Sequence, residues 1–310
     1  MIKGLIVGTV HVGELFERLR TEEREKGLAL ERKMTWRSHL DEKALGEILK
    51  LWQEEPWDCL CIAETPQAVQ AARKLGIPCI GYQNPGYEKT ELWGLDWLLQ
   101  GFEEIDWKFL EMVHTRALGR PVIIGETKRL LIREMTVEDL DALYDLYQDT
   151  CPGRFVENLA ADRAVEEART RAYIRYMYGL HQFGMWVLVE KSQGCLIGRA
   201  GYGLVDYRGK TEMDFGYLVG KSWQGQGYAK EAGRAVLEYG RDFLALKSVC
   251  AYTHPENLAS RAVLKRLGFA LQGELEAQGE GLLCYEKQLD GEEPEEIIFP
   301  GACKTQRPML

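Results

Sequence analysis

Asp214-Phe215-Gly216-Tyr217-Leu218-Val219 is followed, after a short gap, by Gln224-Gly225-Gln226-Gly227-Tyr228-Ala229. The first stretch reads as a strand. The residues from Tyr228 to about Phe243 carry apolar side chains at helical spacing. A strand, a glycine turn and a helix in this order aim several backbone N–H groups at one spot, at the positive end of the helix dipole. That arrangement suits a pyrophosphate. Side chains in place of the glycines would block the phosphates and resist the backbone angles the turn requires. A lone G-x-G is also consistent with a plain tight turn, so its neighbours decide. A dinucleotide-binding βαβ unit needs G-x-G-x-x-G and a later acid; a P-loop needs G-K-[ST]. Neither pattern is present.

Outward from this segment, the chain has 310 residues, enough for two domains that each bury a core. Apolar residues make up 45% and charged residues 28%, the composition of a globular protein. A formal net charge of −9 argues against a general nucleic-acid binder and is compatible with a cationic amine substrate. No apolar run reaches the about 18 residues that a membrane span needs. Met1 to Gly8 enters a strand-like run without the basic start and long apolar stretch of a signal peptide, which predicts a cytoplasmic protein. The eight cysteines form no C-x-x-C pair and read as reduced, mostly buried thiols. The five histidines lack metal-ligand spacing, so no metal site is predicted.

Two patterns of secondary structure follow one another. In the first, strands at Lys3–Val7, Cys59–Ala63, Cys79–Tyr82 and ending at Leu98–Leu99 alternate with helices at Glu14–Leu30, Ala44–Glu54, Pro66–Leu75 and Phe102–Leu118. Such alternation predicts a parallel, Rossmann-like α/β sheet. Gly119–Lys128 reads as a linker. Beyond it, Leu130–Arg133 is a strand, and Thr136 with Asp139 opens a helix through a capping pair. A second helical stretch runs from about Leu159 to Tyr178. Trp186–Glu190, Leu196–Leu204 and Glu212–Val219 read as an antiparallel meander. A strand at Ser248–Thr253, a helix at Ala259–Leu267 and a strand near Leu282–Leu289 complete the pattern. The expectation is an N-terminal domain over residues 1–120, a mixed, largely antiparallel α+β domain over 127–290 and an irregular tail over 291–310.

With its neighbours included, the segment from Gln224 resembles the GNAT superfamily of N-acetyltransferases. That family's pyrophosphate loop reads [QR]-x-x-G-x-[GA], which Gln224, Gly227 and Ala229 match. Thr127–Arg133 looks like the family's first strand, and Asp214–Val219 like its central strand. Asn257-Leu258-Ala259-Ser260 through Gly268-Phe269 looks like its motif N-x-x-S-x-x-x-[LY]-x-x-x-G-F. The whole is similar to the branch containing the ribosomal-protein N-terminal acetyltransferases and covers about half the chain.

The resemblance implies acetyl-CoA as co-substrate and an amine acceptor, either a small molecule or a peptide N-terminus. Backbone groups of Tyr217, Leu218 and Val219 would bond the pantetheine arm as an added strand would. Backbone N–H groups of Gly225, Gln226, Gly227, Tyr228 and Ala229, following Gln224, would hold the pyrophosphate. Asn257 would lie near the pantetheine and Ser260 near the thiol end; a Ser bonded to its own helix backbone is the plainer alternative. The chain departs from the family where many members place a thiolate-protonating Tyr, because it has Leu264 there. Asp214 aligns with a carboxylate common in this branch, and Glu212 shares its face two residues away on the strand. Either could relay the amine proton through water, although solvated strand carboxylates look the same in sequence. His254 is a third candidate base. The family's acceptor pocket maps to about Cys151–Tyr178, with Arg154, Phe155, Tyr173 and Tyr176.

The N-terminal half weakly resembles a haloacid-dehalogenase-like domain: Asp58–Pro78 looks like that fold's late strand, acid and helix. Gly8, Thr9 and Val10 stand where that family has D-x-D, so neither a phosphoenzyme nor a complete Mg²⁺ site follows. A flavodoxin-like domain fits the same pattern. This half reads as a scaffold, a dimerisation surface or a ligand sensor, and a homodimer is compatible with it. Two functions remain open: an acetyltransferase carrying an inactive domain, or a non-catalytic acetyl-CoA-binding sensor or partner module.

Overall fold

The computed structural model describes residues 1–9, 12–25, 32–84, 92, 94–150, 158–207, 210–277 and 280–289. Arg154, Phe155, Val10 and the tail over 291–310 lie outside them. The chain divides into two compact units, one from Met1 to Val122 and one beginning at Ile123.

The first unit is a five-stranded, all-parallel sheet. Its strands are β1 (Gly4–Gly8), β2 (Lys33–Trp36), β3 (Cys59–Ala63), β4 (Cys79–Tyr82) and β5 (Leu98–Leu99), in the order β2-β1-β3-β4-β5. This is the flavodoxin-like doubly wound order. β1 and β3 are buried along their whole length. A parallel strand covered on both faces needs such an unbroken apolar run. Leu5, Val7, Leu60 and Ile62 pack with Leu15 and Leu19 of α1 (Gly13–Glu25) and with Leu110 and Val113 of α4 (Trp107–Ala117). Ile6, Cys59, Cys61 and Ala63 face α2 (Glu42–Trp52) and α3 (Pro66–Leu75) instead. Side-chain caps fix three helix starts: Asp41 accepts from Ala44 N, Thr65 from Ala68 N and Asp106 from Phe109 N. Gly8 ends β1 against buried Leu40; a Cβ there would lie 2.8 Å from Leu40 Cδ1.

The second unit is built on an eight-stranded sheet in the order β12-β13-β11-β10-β9-β8-β7-β6. Its first strands are β6 (Ile123–Glu126), β7 (Leu130–Arg133), β8 (Met185–Glu190), β9 (Cys195–Tyr207) and β10 (Lys210–Val219). The others are β11 (Ser248–Thr253), β12 (Ala270–Ala277) and β13 (Glu280–Gln288). Among the described residues of this sheet, only β10 and β11 run parallel as neighbours. The helices are α5 (Leu140–Thr150), α6 (Arg163–Tyr173), α7 (Tyr228–Asp242) and α8 (Leu258–Arg266). Ahead of α5, Thr136 and Asp139 form the capping box, and Arg133 grips the same Asp139 carboxylate with two hydrogen bonds of 2.7 Å. α6 runs on as a π-helical turn over Ile174–His181, and buried Tyr178 ties it to the sheet. Its hydroxyl donates to Met185 O at 2.6 Å and accepts from Met135 N at 3.2 Å.

Three strands depart from the sequence reading. Ile123–Glu126, inside the expected linker, pairs antiparallel with β7. Its short run between Pro121 and the Gly125 irregularity gives no alternating signal. β2 lies at the sheet edge with none of its four residues buried, so it lacks the apolar run that marks β1 and β3. β12 mixes polar and apolar residues around Gly273, where its register with β13 shifts.

Candidate active site

β10 lies along β9 through its whole length, from Lys210 to Val219. On its other side it meets β11 at a single bridge, Asp214 with Cys250. The two parallel strands part beyond that point, so the backbone from Phe215 to Val219 has no strand partner on the β11 side. Polar backbone groups need partners, and the split is shaped to take an extended polar chain.

The glycine turn follows β10 beyond the bridge, on the side where the two strands part. Gly225 (φ 73°) and Gly227 (φ 84°) both sit in the left-handed region, and Gly227 is the N-cap of α7. A side chain would be strained at either position. No described residue takes the N–H groups of Gly225, Gln226 or Gly227, and the first-turn N–H groups of α7 have no intrahelical partner. Gln224 and Gln226 turn their side chains back onto the chain instead. Gln224 Nε2 donates to Val219 O at 2.9 Å, and Gln226 Nε2 to Ser222 O at 2.9 Å. Their side chains therefore shape the turn, and its backbone is the part that can meet a ligand.

Sequence reasoning overlooked the clamp behind this turn. Glu231, in the first turn of α7, accepts from Thr127 Oγ1 (2.6 Å), Arg129 N (3.0 Å) and Arg129 Nε (2.7 Å). Burial works against the Glu231 anion, but the hydrogen bonds from Thr127 and Arg129 outweigh it and hold its carboxyl below the ordinary value. Arg129 Nη1 donates to Gln226 O at 3.1 Å, and the guanidinium lies 4.0 Å over the Tyr228 ring. The start of β7 is thus fastened to the loop. An acid in a first helical turn is the only signal of this in the sequence, and it is a common one.

At the narrow end, Asp214 stands at the bridge. Its Oδ1 is sealed from solvent and has no hydrogen-bond partner among the described residues. Burial pushes the carboxyl up to about 6, against a backbone hydrogen bond from Tyr252 that favours the anion. Glu212 is half-buried on the same face, with the Tyr252 hydroxyl 3.5 Å from its Oε2. His254 is turned to local use, since its Nδ1 accepts from Glu256 N at 3.2 Å.

Asn257 is the N-cap of α8, its Oδ1 taking Ser260 N at 3.0 Å. The Ser260 hydroxyl does not bond the helix backbone. It lies 3.1 Å from the hydroxyl of Tyr217, which is also 3.3 Å from Ser260 O. Leu264 is buried in the core at 1% exposure. Of the residues assigned to an acceptor pocket, Tyr173 is spent on structure, its hydroxyl accepting from Met185 N at 2.6 Å, and Tyr176 is exposed. Among the described residues no group of three or more His, Cys, Asp or Glu could hold a metal ion, and no helix is long and apolar enough to cross a membrane.

The profile of the acetyltransferase (GNAT) domain family matches residues 129–270. YnaD of Bacillus subtilis, an uncharacterized N-acetyltransferase, is 30% identical over 147 residues, which span 47% of this chain and 82% of that protein. The chain belongs to the GNAT acetyltransferase family. A second GNAT relative, the uncharacterized N-acetyltransferase p20 of Bacillus licheniformis, is 30% identical over 149 residues, covering 47% of this chain and 82% of its own. Among solved structures, a ribosomal-protein-S5-alanine acetyltransferase from Vibrio fischeri is 18% identical, with a TM-score of 0.48 over 55% of this chain and 98% of that one. As a GNAT acetyltransferase the protein is an acyl-CoA N-acyltransferase that uses acetyl-CoA. The split between β10 and β11 and the glycine turn at its mouth suit that elongated, phosphate-bearing substrate.

Proposed function

We propose that the second unit transfers an acetyl group from acetyl-CoA to a primary amine, of a small molecule or a peptide N-terminus, by direct attack within a ternary complex. The observation that carries this reading is the single bridge between β10 and β11, with the buried Asp214 carboxyl at its vertex. In this reading the pantetheine arm lies along Tyr217, Leu218 and Val219. The pyrophosphate meets the N–H groups from Gly225 to Ala229, and the thioester points toward the bridge. The free amine attacks the thioester carbonyl, so the C–N bond forms as the C–S bond breaks and sulfur leaves with the electron pair. Asp214, ionised above about pH 6, takes the amine proton directly or through water. Glu212 stands next to it as an outer relay. Holding amine and thioester together supplies the larger part of the acceleration.

In this reading the Met1–Val122 unit is non-catalytic, a degenerate dehalogenase-like or flavodoxin-like domain. Leu40 supports it, because the buried side chain fills the space that an acid at position 8 would occupy.

Gly227→Asp tests the phosphate site, since it sets a carboxylate where a phosphate belongs. Calorimetry with CoA is expected to show affinity lost by at least about a hundredfold, the size of an unpaired like charge at a binding interface, in a variant that still unfolds cooperatively. Wild-type affinity in that variant would place the phosphates elsewhere.

A further inference from the structure

We propose that the Tyr217 hydroxyl is a positioning residue for the leaving sulfur: it holds the Ser260 hydroxyl so that the Ser260 proton points at the departing thiolate. The inference rests on the proposed acetyl-CoA site and on the family resemblance, which sets Ser260 near the thiol end of the split. Leu264 occupies the position from which a family Tyr would act, and it is buried in the core. The chain instead brings a phenol to the same helix from the opposite element. Tyr217 comes from β10, the strand along which the pantetheine would lie, and its hydroxyl is 3.1 Å from Ser260 Oγ.

The geometry allows two hydrogen-bond arrangements. The Tyr217 proton has two acceptors within reach, Ser260 O at 3.3 Å and Ser260 Oγ at 3.1 Å. When it goes to the carbonyl oxygen, the Ser260 hydroxyl is free to donate to Tyr217, and both groups are satisfied without a ligand. When it goes to Oγ, the Ser260 proton is released toward whatever lies in the split. A sulfur gathering negative charge is the partner that favours the second arrangement, because a hydrogen bond to an ionised acceptor is stronger than one to a neutral one. Each donor then strengthens the next.

Both hydroxyls keep their protons throughout. Burial pushes the Tyr217 phenol up to about 12, against its bond to Ser260. A phenol that weakly acidic donates a hydrogen bond to the chain and does not surrender its proton to a thiolate of ordinary thiol basicity. The amine proton goes to Asp214, and the thiolate takes its own proton from water after release. The pair therefore stabilises charge in the transition state, as an oxyanion-hole donor does at the carbonyl.

The test follows thiol release from acetyl-CoA, with the best amine of a screened panel, in wild type, Tyr217→Phe, Ser260→Ala and the double variant. CoA affinity is measured by calorimetry in each. Tyr217→Phe is expected to lower kcat about five- to tenfold, the size of one hydrogen bond, while CoA affinity stays within about twofold, less than the loss of one such bond. In the Ser260→Ala background the same change is expected to cost nothing further. A side chain that merely braced α8 would weaken CoA binding and cost turnover equally in both backgrounds, and that result overturns the proposal. So does undiminished turnover in Tyr217→Phe. Full turnover in Ser260→Ala with normal CoA binding overturns it too, by removing Ser260 from the sulfur while leaving the split as the CoA site. Absent CoA binding in the wild type would instead sink the reading beneath it. Should Tyr217→Phe fail to fold, an isosteric ring-fluorinated tyrosine at 217, a stronger donor, is expected to change kcat only when Ser260 is present. No change in either background would overturn the proposal.

Discussion

Asp214, the base proposed above, would couple catalysis to stability through one side chain. Its carboxyl titrates near 6 in the folded protein because burial disfavours the anion. A base must be ionised, so kcat/KM is expected to rise with pH through about 6, with a second rise at the pKa of the acceptor amine. Asp214→Asn is expected to remove the first rise and to lower turnover by about a hundredfold, while CoA affinity is unchanged in calorimetry. The stability effect has the opposite sign. The folded state binds this proton more tightly than the unfolded chain does, so the carboxyl's contribution is intact at low pH and declines as pH rises through about 6. Asp214→Asn should therefore melt higher than wild type at pH 7, by a few degrees for about 1 kcal/mol, and should lose that advantage near pH 4. Thermal scans at the two pH values check it, and equal melting at both would mean that the buried carboxyl is paid for by a partner.

At the scale of elements, the clamp between α7 and the start of β7 carries a prediction of its own. Glu231→Gln keeps the shape and removes the charge that collects Thr127 and Arg129. The expected loss is about 1–2 kcal/mol of stability, read by denaturant unfolding. CoA affinity should weaken several-fold with it, because Arg129 also holds Gln226 O in the glycine turn proposed to take the pyrophosphate. Arg129→Lys should do much the same, since an ammonium cannot serve the two acceptors of a forked guanidinium. The elements were legible in the sequence where pattern and burial agree. β3, β4, β7 and β11 and the helix at Pro66–Leu75 fall where periodicity and their caps put them. The glycine turn was legible because its chemistry is local. What escaped was long-range: the β2 and β6 pairings, and the meeting of Tyr217 with Ser260, far apart in the chain. The cap that the Asn257 carbonyl gives α8, alongside its expected place near the pantetheine, was not read either. A side chain's first obligation is often to its own helix, and spacing alone does not reveal whether that obligation has been met.

At the scale of the whole chain, the two units obey different sheet logics: parallel with its central strands covered in the first, mixed and split in the second. The first is expected to hydrolyse no generic phosphate ester with Mg²⁺. Activity that survives purification and vanishes on Glu64→Ala, at the acid directly after β3 that matches the dehalogenase-like pattern, would overturn that. In the second unit, the lone bridge at Asp214 and Cys250 has a mechanical consequence. Strands β6 to β10 form one plate and β11 to β13 another, riveted at a single point along their common seam. Such a seam can breathe, opening toward the glycine turn and closing toward the rivet, like a book bound at one corner. A ligand chain laid in the seam would bond to both pages. By mass action it would then steady the sheet by an amount that grows with the logarithm of its concentration above Kd, so that the protein's rigidity would follow, in damped form, the supply of the molecule it consumes.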